Sequence, residues 1–388
     1  MHLKPIEQSF AVNFKYSLHF TSEVFGSNNG LLAEVIKSYK PNEQVKLLFV
    51  VDDGVLKNHP KLIESIRNYC LPHSSQLLFT ECLAISGGEI AKNNYDNVDR
   101  IISAINNNGI CRHSFVIVIG GGAVIDMAGY AASVAHRGVK LIRIPTTVLS
   151  QNDAAIGVKN GINAYNKKNF IGTFAPPYAI INDNEFLTSL EQRDWIAGVA
   201  EAIKVALIKD EIFFKTIKDN AIKLKERDMD AMLQTIYRCA EMHMEHIAKG
   251  GDPFESGSSR PLDFGHWSAH KLEQMSNYSL RHGEAVAKGI ALDLTYSQLV
   301  GFISVEILDE ILAVMLDIGF DLSIPVSEDK EMQELLKGIQ EFREHLGGEL
   351  TITLINGIGK KMDVHKIDIE LMKKAVNTLN NKCKINMA

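Results

Sequence analysis

The chain has 388 residues, of which 46% are hydrophobic and 23% are charged, a composition typical of a globular protein with room for two domains. A net charge of −6 argues against a general nucleic-acid binder, and no apolar run approaches the roughly 20 residues of a membrane-spanning helix. Five cysteines without paired spacing, and an N-terminus without a secretory signal, favour a cytoplasmic protein with reduced thiols.

The first half of the chain predicts a parallel sheet. Apolar and β-branched runs at 45–53, 75–82, 114–120 and 140–148 predict strands, and helical patterns lie between them. Strands that alternate with helices favour a Rossmann-like, mostly parallel α/β sheet with right-handed crossovers.

From about residue 186 the pattern changes to a series of amphipathic helices. Only 349–355 predicts a further strand. We therefore expect two domains, an α/β domain over 1–185 and a mainly α-helical domain over 186–388.

A glycine turn, Gly120–Gly122, lies between a predicted strand and a predicted helix. Glycines there let the backbone approach a pyrophosphate, whose charge a helix N-terminus favours. The spacing differs from the dinucleotide fingerprint G-x-G-x-x-G, and tight packing alone also produces such turns. Asp52 ends an earlier strand where a carboxylate can accept hydrogen bonds from a ribose diol, although a solvent-facing turn residue has the same pattern.

The segment 153–172 collects polar side chains between glycines. These side chains are Asp153, Lys159, Asn163, Lys168 and Asn169. Flexible ammonium groups together with amide donors suit a phosphate and several sugar hydroxyls. A solvated basic loop is the alternative interpretation.

Glutamate and histidine side chains occur within apolar helices of the second half. Glu201 and Lys204 lie one helical turn apart, and His266, His270 and His282 follow on later predicted helices. A carboxylate with two imidazoles, here Glu201, His266 and His282, leaves open positions for substrate oxygens, as in catalytic zinc sites. His266 and His270, spaced i and i+4, are an alternative pair of ligands. A purely structural role for each histidine is the third interpretation.

Six motifs follow one another along the chain: VIVIGGGAVIDMAGYAAS, PTT, GVKNGINAYNKKNFIGTF, GVAEAIK, DFGHWSAHKLE and HGEAVAKGIALD. Together they resemble the dehydroquinate synthase-like superfamily, the sugar phosphate cyclases, over roughly 45–360. The resemblance implies the dehydroquinate synthase-like fold, with NAD in the α/β domain and zinc or cobalt with the substrate in the helical domain. It also implies cyclisation of a sugar phosphate, a ketose phosphate, with phosphate elimination, in which NAD is regenerated in each turnover.

The resemblance further implies roles for individual residues. It places the metal ligands at Glu201, His266 and His282. It places NAD contacts at Asp52, Glu89, Lys92, Gly121, Gly122, Asp126, Thr146, Thr147 and Lys168. It places catalytic residues at Asp153, Lys159, Lys204 and His270, and substrate contacts at Asn169 and, in the same segment, Asn163. Arg137 matches a substrate-binding arginine that reaches into the site of the partner subunit, so a homodimer is implied.

The chain departs from dehydroquinate synthases where those enzymes hold the carboxylate of their substrate. Those enzymes have a lysine on the helix before the histidines, and the corresponding position in this chain falls near Glu245. Where they have an arginine, this chain has Ser259, and the next residue, Arg260, is a substrate-binding candidate. The usual asparagine is Asp263, a second candidate. Because like charges at short range cost several kcal/mol in a poorly screened site, we expect a substrate without a carboxylate.

The substrate is therefore an open question at the level of sequence. RPLDFGH resembles the subgroup that cyclises sedoheptulose 7-phosphate to valiolone-type C7 cyclitols, whereas the retained His270 does not fit that subgroup. The alternatives are 3-dehydroquinate synthase, a metal-dependent polyol dehydrogenase of the glycerol dehydrogenase kind, and a non-catalytic sugar phosphate binder. The polar segment 153–172 argues against the dehydrogenase, and the complete set of metal ligands argues against the non-catalytic protein.

Overall fold

Strands and helices alternate up to residue 183, and helices dominate beyond it. The computed structural model of the chain describes residues 5–165, 167–254, 261–345 and 348–386. Its strands are β1 (Ser17–Thr21), β2 (Val45–Asp52), β3 (Leu77–Ile85), β4 (Phe115–Gly120), β5 (Lys140–Pro145), β6 (Lys159–Ala164), β7 (Lys167–Phe174), β8 (Ala179–Asp183), β9 (Ile352–Ile355) and β10 (Lys361–Val364).

Its α-helices run through both halves of the chain. They are α1 (Leu31–Tyr39), α2 (Asp53–Asn58), α3 (Leu62–Cys70), α4 (Tyr95–Asn107), α5 (Gly122–Val134), α6 (Gln192–Ala197), α7 (Val199–Lys209), α8 (Glu211–Asp219), α9 (Ala221–Lys225), α10 (Met229–Lys249), α11 (His266–Met275), α12 (His282–Leu299), α13 (Val305–Ile318), α14 (Asp329–His345) and α15 (Ile369–Asn386).

Six strands form one parallel sheet in the order β1-β8-β5-β4-β2-β3. The four strands predicted from the sequence are β2, β3, β4 and β5, so the predicted α/β class is confirmed. β4 is buried along its whole length because apolar side chains cover both faces of the sheet. The edge strand β1 and the buried strand β8 are additions that the sequence did not predict.

The polar segment 153–172 is a hairpin rather than a solvated loop. A π-helical turn, Ser150–Ala154, leads into β6, which pairs antiparallel with β7. The turn and the hairpin follow β5 directly, so Asp153 lies next to the carboxyl end of the parallel sheet. This edge is where open α/β sheets bind their ligands.

In the helical half, two glycines bring α11 and α12 into backbone contact. Gly265, immediately before α11, has a φ of +78°, which a glycine adopts without strain. A Cβ on Gly289 of α12 would lie only 2.0 Å from the carbonyl oxygen of Gly265. The first residues of these helices, His266 and His282, therefore lie side by side.

The strand predicted at 349–355 is β9, which pairs antiparallel with β10. Among the helices of the described residues, none has the length and apolarity required to cross a membrane. The predicted domain division at 185/186 falls within a short 3-10 helix, Asn184–Ser189, after the last strand of the sheet. The division stays a prediction.

Candidate active site

Glu201, His266 and His282 converge although they lie on three separate helices. The Nε2 atoms of His266 and His282 lie 3.5 and 3.6 Å from Oε1 of Glu201. One ligand atom of each residue lies within 4.8 Å of the other two. Two imidazoles and one carboxylate at these separations can share a single divalent cation of the zinc type.

The carboxylate of Glu201 is fully buried and lacks ordinary partners. Neither of its oxygens makes a regular hydrogen bond with the described residues, although Oε2 forms an ion pair with Lys204. Burial alone would raise the pKa of Glu201, but Lys204 and His266 hold it well below the usual range. The charge of Oε2 is compensated by Lys204, whereas Oε1 faces the two imidazoles without a regular hydrogen bond, and a bound cation would explain its position.

Both imidazoles are oriented by hydrogen bonds at their other ring nitrogen. Nδ1 of His266 lies 3.1 Å from the carbonyl oxygen of Phe264, and Nδ1 of His282 lies 3.1 Å from Oε2 of Glu273. These partners favour the proton on Nδ1 and leave Nε2, which faces Glu201, free to bind a metal. The arrangement is that of a metal site with its supporting shell in place.

Glu273 links this shell to the β6–β7 hairpin. It accepts hydrogen bonds from Nζ of Lys168 at 3.0 and 3.3 Å. Burial opposes ionisation of Glu273, but His282 and Lys168 hold its pKa far below the usual range. The carboxylate is therefore charged at neutral pH and keeps His282 in one orientation.

Replacing Glu273 by Gln is expected to lower the zinc affinity by about 10- to 100-fold, because His282 loses the carboxylate that orients it. The affinity is measured by competition with a chelator. Glu341→Gln is the matched control, since this exposed glutamate pairs with Lys271 at 2.7 Å on another face of α11. Equal zinc affinities for the two variants would contradict the assignment.

His270 supplies a third imidazole beside the cluster. Its ring lies 5.6 Å from that of His266 and 6.0 Å from that of His282, centroid to centroid. Burial, together with the charge of Lys168, lowers the pKa of His270 well below its usual value. The ring is neutral at physiological pH and can accept or donate one hydrogen bond.

Lys204 is a buried cation surrounded by acids. Burial would lower its pKa, but Glu201, Asp153 and Asp263 together raise it above the usual value. The structure thus places Asp263, which lies in the short 3-10 helix Pro261–Asp263, near Lys204. Lys204 is charged, forms an ion pair with Glu201, and lies near the carboxylates of Asp153 and Asp263.

Asp153, in the π-helical turn, lies close to a histidine of α10 that the sequence analysis missed. Oδ1 of Asp153 lies 3.0 Å from Nδ1 of His243, which is almost fully buried on α10. The α10 sequence carries the apolar periodicity of a surface helix, and its two histidines, His243 and His246, gave no signal for a site. Lys159 lies at the exposed start of β6, after the turn.

The residues that the sequence assigned to NAD surround the N-terminus of α5. Gly121 precedes this helix and provides no side-chain cap for its first N–H groups. The carboxylate of Asp52, on the neighbouring strand β2, accepts a hydrogen bond from the N–H of Gly54 at 2.8 Å. A Cβ on Gly87 would lie 2.4 Å from Asp52 Oδ1, and the glycine thus allows the carboxylate to approach this turn.

Further predicted residues complete the rim of this region. Gly122 faces Ala154 of the π-helical turn, and a Cβ there would lie 3.0 Å from the Ala154 side chain. The N–H of Thr146 donates to the carbonyl oxygen of Gly120 at 3.0 Å, and Oγ1 of Thr147 lies 2.8 Å from Oγ of Ser150. These contacts fix the ends of β4 and β5 to each other.

A polar network connects the α/β core to the hairpin. Lys92, which is almost fully buried, contacts Asp126 at 2.9 Å and also donates to the side chain of Asn169. The side chain of Asn163 donates to Glu89 at 3.1 Å and accepts from the N–H of Asn169 at 2.8 Å. Residues assigned separately to cofactor and to substrate thus form one network.

Two residues of the sequence analysis lie on the surface away from this cluster, and two others lie outside the described residues. Glu245 is exposed and pairs with Lys249 at 2.9 Å, so the prediction that it brings negative charge into the site is wrong. Arg260, like Ser259, lies outside the described residues. Arg137 is exposed in the 3-10 helix Ala135–Arg137 that follows α5.

Comparison with known proteins identifies the family. Residues 82–197 match the family described as 3-dehydroquinate synthase N-terminal, and residues 198–342 match the one described as 3-dehydroquinate synthase C-terminal. The chain belongs to the dehydroquinate synthase-like family of sugar phosphate cyclases. The resemblance drawn from the six motifs is confirmed, and with it the expectation that the protein is an enzyme, a lyase of the cyclase type.

Individual relatives of this cyclase carry more than one name. 3-Dehydroquinate synthase of Vibrio atlanticus is 33% identical over 299 residues, which are 77% of this chain and 81% of the relative. The solved structure of 2-epi-5-epi-valiolone synthase (ValA) from Streptomyces hygroscopicus, with NAD+ and Zn2+ bound, is 27% identical with a TM-score of 0.86, covering 97% of this chain and 100% of that one. A 2-deoxy-scyllo-inosose synthase, complexed with carbaglucose-6-phosphate, NAD+ and Co2+, is 22% identical with a TM-score of 0.76 over 93% of this chain and 96% of its own; it shares the fold.

Proposed function

We propose that this cyclase converts a ketose phosphate without a carboxylate, such as sedoheptulose 7-phosphate, into a C7 cyclitol with elimination of phosphate. It does so with bound NAD and with zinc or cobalt. The cyclase chemistry is supported by the convergence of Glu201, His266 and His282 beside a second group of polar residues, Asp153, Lys204 and His270, and the choice of substrate is supported by Asp263.

The residues fit a metal of this kind. Oriented Nε2 atoms and a buried carboxylate without regular hydrogen bonds are the donor set that zinc and cobalt prefer. Glu201, His266 and His282 would hold the ion, which supplies Lewis-acid polarisation of a substrate oxygen when bound. ValA is a relative with Zn2+ bound, and this supports the assignment.

The residues at the N-terminus of α5 also fit a dinucleotide. The uncapped N–H groups behind Gly121 suit a pyrophosphate, and the carboxylate of Asp52 suits a ribose diol. NAD bound there would supply reversible hydride transfer. The hydrogen-bonded network of Lys92, Asp126 and the hairpin asparagines would then lie between NAD and the substrate and separate the two.

The chain's own residues bind and orient the substrate. Lys204 neutralises negative charge and donates to a substrate oxygen, while His270 and the cationic hairpin residues Lys159 and Lys168 hold the phosphate. A proton on the carbon next to the C–O bond passes to one of the phosphate's own oxygens, the electron pair of that C–H bond forms a C=C bond, and the phosphate leaves with the electron pair of the C–O bond. The chain therefore supplies position and the exclusion of water more than a strong base.

A substrate without a carboxylate is favoured by the charges around Lys204. This single buried cation already faces Glu201, Asp153 and Asp263. A further carboxylate would add repulsion in a poorly screened site. Since Glu245 does not contribute and Asp153 is a position shared with the carboxylate-binding members of the family, Asp263 is the residue that favours a substrate without a carboxylate.

3-Dehydroquinate synthase is the second candidate. It is supported by relatives that are named 3-dehydroquinate synthase, such as the Vibrio atlanticus enzyme, which is 33% identical to this chain. The polyol dehydrogenase considered at first loses its support, because the matching families cover 82–342 and are those of the cyclases.

A homodimer is proposed with the function. The guanidinium of Arg137 is exposed at the end of α5, and it is available to a neighbouring subunit. Mixing Arg137→Ala protein with a Glu201→Gln variant tests this directly, because a shared site would recover activity in the mixed dimer.

The substrate is tested by incubating the purified protein with NAD, zinc or cobalt, and each candidate sugar phosphate. Phosphate release is expected from sedoheptulose 7-phosphate. Robust release from the carboxylated heptulosonate phosphate, with none from sedoheptulose 7-phosphate, would overturn the substrate assignment and favour 3-dehydroquinate synthase.

A further inference from the structure

Asp293 is a fully buried acid on α12, the helix that begins with His282. It lies about three turns after His282 and on the same face of the helix. Among the described residues no cation pairs with Asp293, and its partners are two neutral donors. Burial raises the pKa of Asp293 to about 7, and the two hydrogen bonds lower it only in part. Because a buried carboxylate without a cation is costly, its presence here requires an explanation.

The two oxygens of Asp293 hold the residues on either side of the ligand His266. Oδ2 accepts a hydrogen bond from the N–H of Gly265 at 3.0 Å, and Oδ1 accepts one from the indole Nε1–H of Trp267 at 2.8 Å. Both of these hydrogen bonds are buried. The chain immediately before and after His266 is therefore tied to a single carboxylate.

The close contact between α11 and α12 brings this carboxylate to its partners. Gly289 lies one turn before Asp293 on the same face of α12, and its backbone lies against the carbonyl oxygen of Gly265. Because the two helices approach so closely, the short side chain of Asp293 reaches the N–H of Gly265.

The hydrogen bond to Gly265 also acts on the ring of His266. The N–H of Gly265 and the carbonyl of Phe264 belong to one planar peptide unit, so fixing the direction of one group fixes the direction of the other. The carbonyl oxygen of Phe264 lies 3.1 Å from Nδ1 of His266. Asp293 thus orients this imidazole through one peptide, whereas the other histidine ligand contacts its carboxylate directly.

We propose that Asp293 is a positioning residue of the metal site, which acts on His266 through the Phe264–Gly265 peptide and through Trp267. The inference rests on the metal site of the proposed function and deepens it, because it names the residue that keeps Nε2 of His266 directed at the ion. Asp293 itself touches neither the metal ligands nor the reacting atoms.

The test replaces Asp293 by Leu, which has the same branched shape and no acceptor. The zinc affinity, measured by competition with a chelator, is expected to fall by about 10-fold, at the lower end of the losses for groups that support metal ligands. Asp293→Asn keeps one acceptor oxygen and is expected to give a smaller loss of about 5-fold. In the cobalt-substituted protein, both variants are expected to shift the visible absorption bands, which depend on the geometry of the ligands around the metal.

Asp183→Asn is the matched control. Asp183 is also buried, accepts hydrogen bonds from backbone N–H groups and has a pKa raised by burial, but its carboxylate binds the loop after β1. The control is expected to keep the zinc affinity and the cobalt spectrum of the wild type. If Asp293→Leu does not fold, the two asparagine variants decide the test by themselves.

A purely structural role of Asp293 predicts a different result. Wild-type zinc affinity in the folded Asp293 variants, or an equal loss of affinity in the Asp183 variant, would overturn the inference. Glu201→Gln tests the metal site separately, since zinc binding that is the same in this variant and in the wild type would overturn the proposed function and the inference together. Loss of zinc in Glu201→Gln with wild-type affinity in the Asp293 variants would overturn the inference alone.

Discussion

Replacing Glu201 by Gln is expected to lower phosphate release by about 10³-fold or more, with a matching loss of bound metal. The amide has no charge to offer a divalent cation, and the polarisation that a metal supplies is worth several kcal/mol in the transition state. The fully buried carboxylate lies 3.5 and 3.6 Å from the two imidazoles, whereas the other acid beside them, Glu273, lies at Nδ1 of His282 and groups with His270. Metal content after dialysis and the rate of phosphate release are the two measurements.

Glu211→Gln is the control for this variant. Glu211 is an exposed glutamate at the start of the next helix, so the same change of chemistry occurs outside the site. It is expected to keep wild-type metal content and rate. Full phosphate release by the Glu201 variant would show that the cluster is not the catalytic metal site.

Replacing Lys204 by Met is expected to lower the free energy of unfolding of the metal-free protein by about 3–5 kcal/mol. The substitution leaves Glu201, fully buried, without the cation that pairs with it. Added zinc should recover part of the loss, because the metal compensates the charge of Glu201 and binds only the folded protein. Urea unfolding with chelator and with zinc measures both effects.

The matched control is Lys209→Met on the same helix. Lys209 is half-buried, and burial together with Lys361 lowers its pKa, because Glu245 compensates its charge only in part. We expect a change of less than about 1 kcal/mol, as for most substitutions away from a buried network. Equal destabilisation by the two substitutions, or an absence of zinc dependence, would contradict the role given to Lys204.

The parts of the fold that could be predicted are those with long apolar runs or clear helical periodicity in the sequence. The long apolar strands β2 and β4 and the change to helices near residue 186 follow from periodicity alone. β1 and β8 could not be predicted, because five residues are too few to separate a strand from other apolar segments.

The site could be predicted only in part. Glu201 and the histidines were found through the motifs, and no periodicity could have shown that the N-termini of α11 and α12 meet beside α7. The close packing of α11 against α12 depends on the backbone approach of Gly265 to Gly289, and within it the rings of His266 and His282 lie 5.6 Å apart. Glu273 was missed because its partners, Lys168 and His282, are brought to it by the tertiary fold.

The error at Glu245 has a geometric cause. Successive residues of an α-helix are rotated by about 100° around its axis, so the side chains of His243 and Glu245, two residues apart on α10, point in directions that differ by about 200°. His243 therefore lies on the buried face of the helix, whereas Glu245 lies on the exposed face. The helix periodicity leaves its register against the site undetermined, and the packing of α10 against the turn at Asp153 decides it.

The central claim is that one site regenerates NAD while it eliminates phosphate. The most direct measurement follows phosphate release and absorbance at 340 nm together, with NAD far below the concentration of sedoheptulose 7-phosphate. We expect many equivalents of phosphate for each NAD, without accumulation of NADH. Accumulation of NADH in step with substrate consumption, or release that stops at one phosphate for each NAD, would contradict the claim.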